Sequence, residues 1–372
     1  MAVEIIYEDY IDILIRWADK YDVVDFPRDR ESLTSIKELT ISNLDLYSIP
    51  VEIFYLKQLE ELRFFHTTMA SIPKELKLLV NLKRLGIYYH DLILELPSEI
   101  GELTSLEELV IYDCSLKKLP KEIGSLDKLQ KFELTREYSI ESLPPEFGNL
   151  KGLKELIITN TKIEVFPQEF EHLEKLTSVR IERNQIKEFP SFLLKNKNLE
   201  ELTLSEDKIT NIPNSIAKLK VLKKLFLSCS LDFLPNEICY LPSLRILYAW
   251  NYNSTLKQLP KDFVKIACRG ILTINGKEVS YDENSIKQQK QLLKKIWLHI
   301  FESDGCLIDE NKEEIIEKNQ LDSMEVPEIE RSEECELFLE YKKEKYNKRY
   351  KQQISEDESE YSKIWIEWAH DN

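Results

Sequence analysis

Proline recurs along this chain at an almost fixed interval. Eleven prolines each follow Leu, Ile or Phe: Pro27, Pro50, Pro73, Pro97, Pro120, Pro144, Pro167, Pro190, Pro213, Pro235 and Pro260. Their successive separations are 23, 23, 24, 23, 24, 23, 23, 23, 22 and 25 residues. A period of this size over more than half of a chain is the signature of a solenoid. The unit is legible in Leu199-Glu-Glu-Leu202-Thr-Leu204-Ser-Glu-Asp207-Lys-Ile209-Thr-Asn-Ile212-Pro213, which reads LxxLxLxxNxLxxLP. The same frame restarts at Ile36, Leu59, Leu82, Leu106, Leu129, Leu153, Leu176, Leu222 and Leu244.

Within LxxLxL the apolar residues alternate, so Leu202 and Leu204 point inward while Thr203 and Ser205 point outward. One short parallel strand per unit, stacked at about 4.8 Å, predicts ten or eleven strands in a sheet roughly 50 Å long. The Pro-x-x-Ile-x-x-Leu half returns behind the sheet as irregular or short helical structure. No unit can bury its apolar face alone, so neighbours must stack.

These residues resemble the leucine-rich repeat proteins, in the 23-residue form of intracellular Ras-group and many bacterial members. The stretch LPxEIGxLxxL appears here as Leu96-Pro-Ser-Glu-Ile-Gly-Glu-Leu-Thr-Ser-Leu106 and as Leu119-Pro-Lys-Glu-Ile-Gly-Ser-Leu126. The resemblance covers about residues 33–275. It implies an α/β repeat solenoid, a horseshoe with a parallel concave sheet, and it says little about the ligand. Around it the sequence organises into a cap helix in residues 1–30, about ten repeats in 31–266, a capping hairpin in 267–281 and an acidic helical region in 282–372. The ninth place of each unit, usually Asn, holds Leu44, Thr67, His90, Cys114, Thr161, Asn184, Asp207 and Ser230. Extra waters or irregular turns are expected there, above all near Leu44. One-residue insertions at His90–Leu96 and Glu137–Leu143, and a longer one at Tyr252–Leu256, should bulge without breaking the stack.

A solenoid exposes its core at both ends and needs caps. Ile6, Tyr10, Ile13, Leu14 and Trp17 recur at helical spacing and predict an amphipathic helix over about Glu8–Lys20 that covers the first strand. Asn275-Gly276, between Ile271–Ile274 and Lys277–Tyr281, suits a type I′ turn and predicts a hairpin closing the far edge. Beyond it, residues 281–372 hold 24 Asp+Glu against 14 Lys+Arg, most of the whole chain's net charge of -16. Helices are expected near Ser285–Ser303, Asp309–Asn319, Glu333–Gln352 and Glu356–Ala369. Tyr10–Ala18 aligns without gaps on Tyr361–Ala369, sharing Tyr, Ile, Ile, Trp and Ala. A shared pattern of amphipathic helices accounts for this; so does a second docking helix that joins copies of the chain.

Several functions are disfavoured. An acidic chain is repelled by a phosphate backbone, so no nucleic-acid partner is expected. With 8 glycines and neither GxGxxG nor GxxxxGK[ST], nucleotide-binding loops lack their signature. The five histidines show no metal spacing, no GxSxG occurs, and six scattered cysteines read as reduced thiols. No cofactor, no metal and no catalysis are expected. Bacterial repeat effectors with a ubiquitin-ligase domain carry a catalytic Cys-x-Asp, whereas Cys306-Leu-Ile-Asp309 has the wrong spacing. The first residues lack a basic stretch followed by an apolar core, and no run approaches 18 apolar residues. The expectation is a cytoplasmic protein without a membrane partner.

Function then falls to the sheet. In the resembled fold the third, fifth, seventh and eighth places of each unit line the concave face. Here they supply an aromatic stripe, Phe65, Tyr88 and Tyr112, with His66, Tyr89 and Asp113 beside it. A basic stretch follows, Lys131, Arg136, Arg180 and Arg183, and then Phe226, Tyr248 and Trp250. Aromatics are enriched at binding hot spots, and the arginines would select an acidic surface. The leading expectation is a non-enzymatic module that binds a protein or peptide, with small GTPases and other signalling proteins suggested by the Ras-group resemblance. A bacterial effector acting on host proteins and a scaffold joined through the C-terminal helix stay open as alternatives.

Overall fold

A computed structural model describes residues 9–42, 49–231, 233–250 and 260, with backbone alone at Trp250, 271–274 and 277–279. All lie in one compact unit, Met1–Met324. The chain opens with helices α1 (Tyr10–Lys20) and α2 (Arg30–Ser35). Strands β1 to β6 are Glu38–Ser42, Glu61–Phe65, Arg84–His90, Glu108–Cys114, Lys131–Thr135 and Glu155–Thr159. Strands β7 to β12 are Ser178–Glu182, Glu201–Ser205, Lys224–Ser228, Ile246–Trp250, Ile271–Ile274 and Lys277–Val279. They form one sheet in chain order, parallel from β1 to β11, with β12 antiparallel to β11. In register, Leu62, Leu85 and Leu109 stack as one inward column and Phe64, Ile87 and Ile111 as the next, all buried.

Behind the sheet the nine periodic prolines from Pro50 to Pro235 each cap a five-residue 3-10 turn, from Val51–Tyr55 to Asn236–Tyr240. The reason is a spacing of three. In Pro97-x-x-Ile100-x-x-Leu103-x-x-Leu106, Ile100 N–H donates to Pro97 O and Leu103 N–H to Ile100 O, both at 3.1 Å. With 3.0 residues per turn, Ile100, Leu103 and Leu106 share one face, and all three are fully buried. Phenylalanines run through these turns as a spine. Phe147 meets Phe132 edge-on at 4.9 Å and stacks on Phe170 at 5.0 Å, and Phe170 meets Phe192 at 5.4 Å. Successive turns approach closely: a Cβ on Gly148 would run into the backbone carbonyl of Glu169. Gly148→Ala is therefore expected to cost about 1–3 kcal/mol, read as a lower urea midpoint at unchanged slope.

At the inward ninth place side chains bond the neighbouring backbone, though His90 Nε2 and Asp207 Oδ2 are buried without a partner. Asn184 does both jobs: its Oδ1 accepts from Thr161 N–H at 3.1 Å, and its Nδ2 donates to Ile158 O at 3.1 Å. Elsewhere the two jobs are divided between residue types. Glu137 only accepts, from Cys114 N–H at 2.6 Å and Leu116 N–H at 3.0 Å. Asp207 accepts from Asn184 N–H at 2.9 Å and Ile186 N–H at 3.2 Å. Cys114 and Cys229 donate, to Ile87 O at 3.7 Å and Leu204 O at 3.3 Å. Burial pushes both thiols up to about 12, so they stay protonated. Burial also lowers His90, and its neutral ring sets Nδ1 3.0 Å from Thr67 O. Leu44 lies outside the described residues.

Two details correct the sequence frame. His66, Tyr89, Asp113, Arg136, Asn160, Arg183 and Glu206, the eighth residues, all adopt positive φ, between 46° and 62°. The left-handed residue, just past the strand in most units and inside it in β3 and β4, precedes a ninth side chain that is buried in each of these units. The unit with 22-residue spacing lacks this residue, so Cys229, 2% exposed, takes the inward place expected of Ser230. The insertions at Asp91–Leu92 and Tyr138–Ser139 are absorbed as turns, and the flanking strands keep their register. The Tyr252–Leu256 insertion, the Asn275-Gly276 turn and the four expected helices beyond residue 281 lie outside the described residues.

Asp9 caps α1 by accepting from Ile11 N–H at 2.9 Å. The helix buries Ile11, Leu14 and Ala18, and Tyr10 packs edge-on against Tyr55 of the first 3-10 turn. The positions aligned with those buried three are Ser362, Trp365 and Ala369. The shared Tyr, Ile and Trp therefore map onto the half-buried flank of α1. Residues 361–369 lie outside the described residues.

Candidate functional site

The sheet's open face carries the outward side chains of LxxLxL. Phe65, Tyr88 and Tyr112 are register partners on β2, β3 and β4 and all are half-buried. Phe65 and Tyr88 stack with centroids 4.2 Å apart and planes 5° from parallel. Beside them His66 stacks on Tyr89 at 4.5 Å, and Tyr89 meets Tyr112 edge-on at 5.2 Å. The Arg136 guanidinium lies over the Tyr112 ring at 5.4 Å and pairs with Asp113 at 3.2 Å. One continuous cluster thus joins all the first-stripe residues to Arg136.

Gly86 explains why the cluster holds this pose. It stands at the fifth place of its unit, where the other described units carry side chains. A Cβ there would collide with the Tyr88 ring, which leans back along its own strand over the glycine. Val110, beside Gly86 in register, is only 7% exposed despite its place on the open face. Burial raises the Tyr88 hydroxyl above its ordinary value, with Arg63 and Lys131 opposing and Glu133 and Glu108 adding to it. Gly86 was not among the residues singled out from sequence, nor was the buried Glu137. A glycine two residues before an aromatic in a strand, and the ninth place of the Leu129 unit, were the available signals.

The basic stretch is charge-matched. Arg136 pairs with Asp113, Arg183 with Glu206 at 2.7 Å, Lys131 with Glu108 at 3.1 Å, and Arg180 with Glu182 at 4.0 Å. Arg136 and Arg183 are thus engaged by carboxylates of the face itself, while Arg180 makes only the longer approach to Glu182. Phe226 and Tyr248 are register partners on β9 and β10, with rings 6.4 Å apart. Strands β5 to β8 separate them from the first stripe, so the structure makes two groups, not one. The side chain of Trp250 lies outside the described residues. Among the described residues, no group of three or more His, Cys, Asp or Glu could hold a metal ion, and no helix is long and apolar enough to cross a membrane.

Residues 27–137 match the family model of a leucine-rich repeat region, and residues 127–186 match that of the leucine rich repeat. This is a leucine-rich repeat protein. Among solved structures it is similar to an internalin, InlF, from Listeria monocytogenes, at 23% identity and a TM-score of 0.57, over 76% of this chain and 78% of that one. It is also similar to the leucine-rich repeat domain of the type III effector XopL, at 19% identity and a TM-score of 0.52, over 74% and 98%. Both likenesses are of fold. No curated protein matches the chain. In this leucine-rich repeat protein the open face is built from the most variable places of the unit, whereas the inward columns are uniformly apolar.

Proposed function

We propose that this leucine-rich repeat protein is a non-enzymatic interaction module that holds a protein or peptide on the open face of its sheet. Phe65, Tyr88 and Tyr112 are its anchors. The observation that carries the reading is the row of mutually packed aromatics on a solvent-facing surface. Aromatic side chains dominate interface hot spots. Rings already fixed by stacking and by the Gly86 slot lose little further freedom on binding, which favours affinity. His66, Tyr89 and Arg136 extend the contact along the rim, and Phe226 and Tyr248 offer a second, separate contact. A likeness of 19% to an effector's repeat domain carries no effector role to this chain.

Tyr88→Ala/Tyr112→Ala tests the reading. Both side chains face outward, so the fold should persist by far-UV circular dichroism. Affinity for partners captured from extract by the unaltered protein should fall by about 2 kcal/mol or more, roughly thirtyfold. Equal retention of every captured partner would show that the aromatic row is not the site.

A further inference from the structure

Glu133, Glu155 and Glu182 stand on the open face of β5, β6 and β7. The cations near them are largely engaged. Lys131 sits 3.1 Å from Glu108 but 4.0 Å from Glu133, and Arg180 is 4.0 Å from Glu182. Among the described residues, Glu155 has no cation within 4.0 Å. Burial raises Glu133 and Glu182 above the ordinary carboxylate range, the mark of anions with too little compensation.

The relief of the face changes at the same place. At the seventh position the large Tyr112 gives way to Thr135 and Thr159, nearly buried and joined through their hydroxyls at 3.1 Å. With half-buried Ile157 two residues before Thr159 on β6, at the fifth position, they make a low floor two strands wide. The aromatic row bounds it on one side and Arg180 on the other.

We propose that the segment held on this face is basic, laying a lysine or arginine over the β5–β6 floor opposite Glu133 and Glu155, with an adjacent apolar side chain against Tyr88 and Tyr112. This rests on the reading of the open face as the binding face. An acidic segment would meet these carboxylates while finding Arg136 and Arg183 already paired. A basic one supplies the missing charge, and the chain's net charge of -16 speeds its approach.

The test uses the full chain and a displayed library of random linear dodecapeptides. Affinities of the enriched peptides are then measured by fluorescence anisotropy at low and high salt. Enriched sequences should carry Lys or Arg. Glu133→Gln/Glu155→Gln, which keeps side-chain size, should weaken them about tenfold and flatten the salt dependence. Acidic or uncharged winners, an affinity within twofold of the unaltered protein, or no enrichment at all would each overturn the proposal. If Tyr88→Ala/Tyr112→Ala weakens binding while the glutamine pair does not, only the basic partner falls. If neither matters, the binding face falls too.

Discussion

Phe147→Ala is expected to destabilise the array by about 3–5 kcal/mol. The ring is fully buried and packs edge-on against Phe132 and face-on against Phe170. Its removal leaves a cavity shared by two successive units. The turn that carries it cannot collapse inward, because Gly148 already sits against the Glu169 carbonyl. Whole domains are stable by only about 5–15 kcal/mol, so the loss is a large fraction of the total. In a solenoid each unit is held by its neighbours, and weakening one interface uncouples the two flanks. Urea unfolding followed by circular dichroism should move to a lower midpoint and broaden or divide into two steps. Phe147→Leu, which refills most of the volume, should recover most of the midpoint. A shift worth less than about 1 kcal/mol for the alanine change would mean that the spine is not energetically continuous.

The legibility of this chain follows the strength of its local signals. Proline period, LxxLxL alternation and the three-residue spacing of the return half each force one backbone solution, so strands, turns and stacking order are readable residue by residue. The eighth place was less readable. Tyr89, Arg136 and Arg183 have no intrinsic preference for positive φ, and stacking imposes it: Arg136 N–H donates to Thr159 O at 2.9 Å and Arg183 N–H to Ser205 O at 2.8 Å. The aromatic stripe was visible as outward-facing residues, but its pose was not. That pose depends on Gly86, an absence of side chain whose meaning appears only beside Tyr88. The charge of the face was the hardest to read. Arg136 and Arg183 look like free cations in one dimension, while their carboxylate partners, Asp113 and Glu206, each lie 23 residues away, one unit along the stack. Pairing at the repeat distance is invisible to local composition.

Asp207→Asn should make the protein more stable by about 3 kcal/mol at pH 8, and by only about 1 kcal/mol at pH 4.5. Asp207 holds the ninth place with one oxygen, since Oδ1 accepts both the Asn184 and Ile186 N–H groups. Its Oδ2 is buried without a partner. Two N–H donors favour the anion, yet burial outweighs them and pushes the carboxyl from 3.8 up to about 6. The native state therefore binds this proton more tightly than the unfolded chain does. Stability from this group is complete below the unfolded value and is lost as pH rises through about 6. Asparagine keeps the accepting oxygen, carries no charge and replaces the idle oxygen with a donor, as Asn184 does one unit earlier with Nδ2 on Ile158 O. Glu137, pushed from 4.5 up to about 7 by burial against the pull of Cys114 and Leu116 N–H, adds a second slope of the same sign. At the acid end the sign reverses. Glu60, held down to about 2 by Lys83 and Lys37, contributes stability that is lost as pH falls from the ordinary carboxylate range toward 2. The unaltered chain should accordingly be most stable at about pH 4 to 5, and its melting temperature should fall as pH rises from there toward 8. If Asp207→Asn melts no higher than the unaltered protein at pH 8, or if its gain persists undiminished at pH 4.5, the buried carboxylate is not the source of that slope.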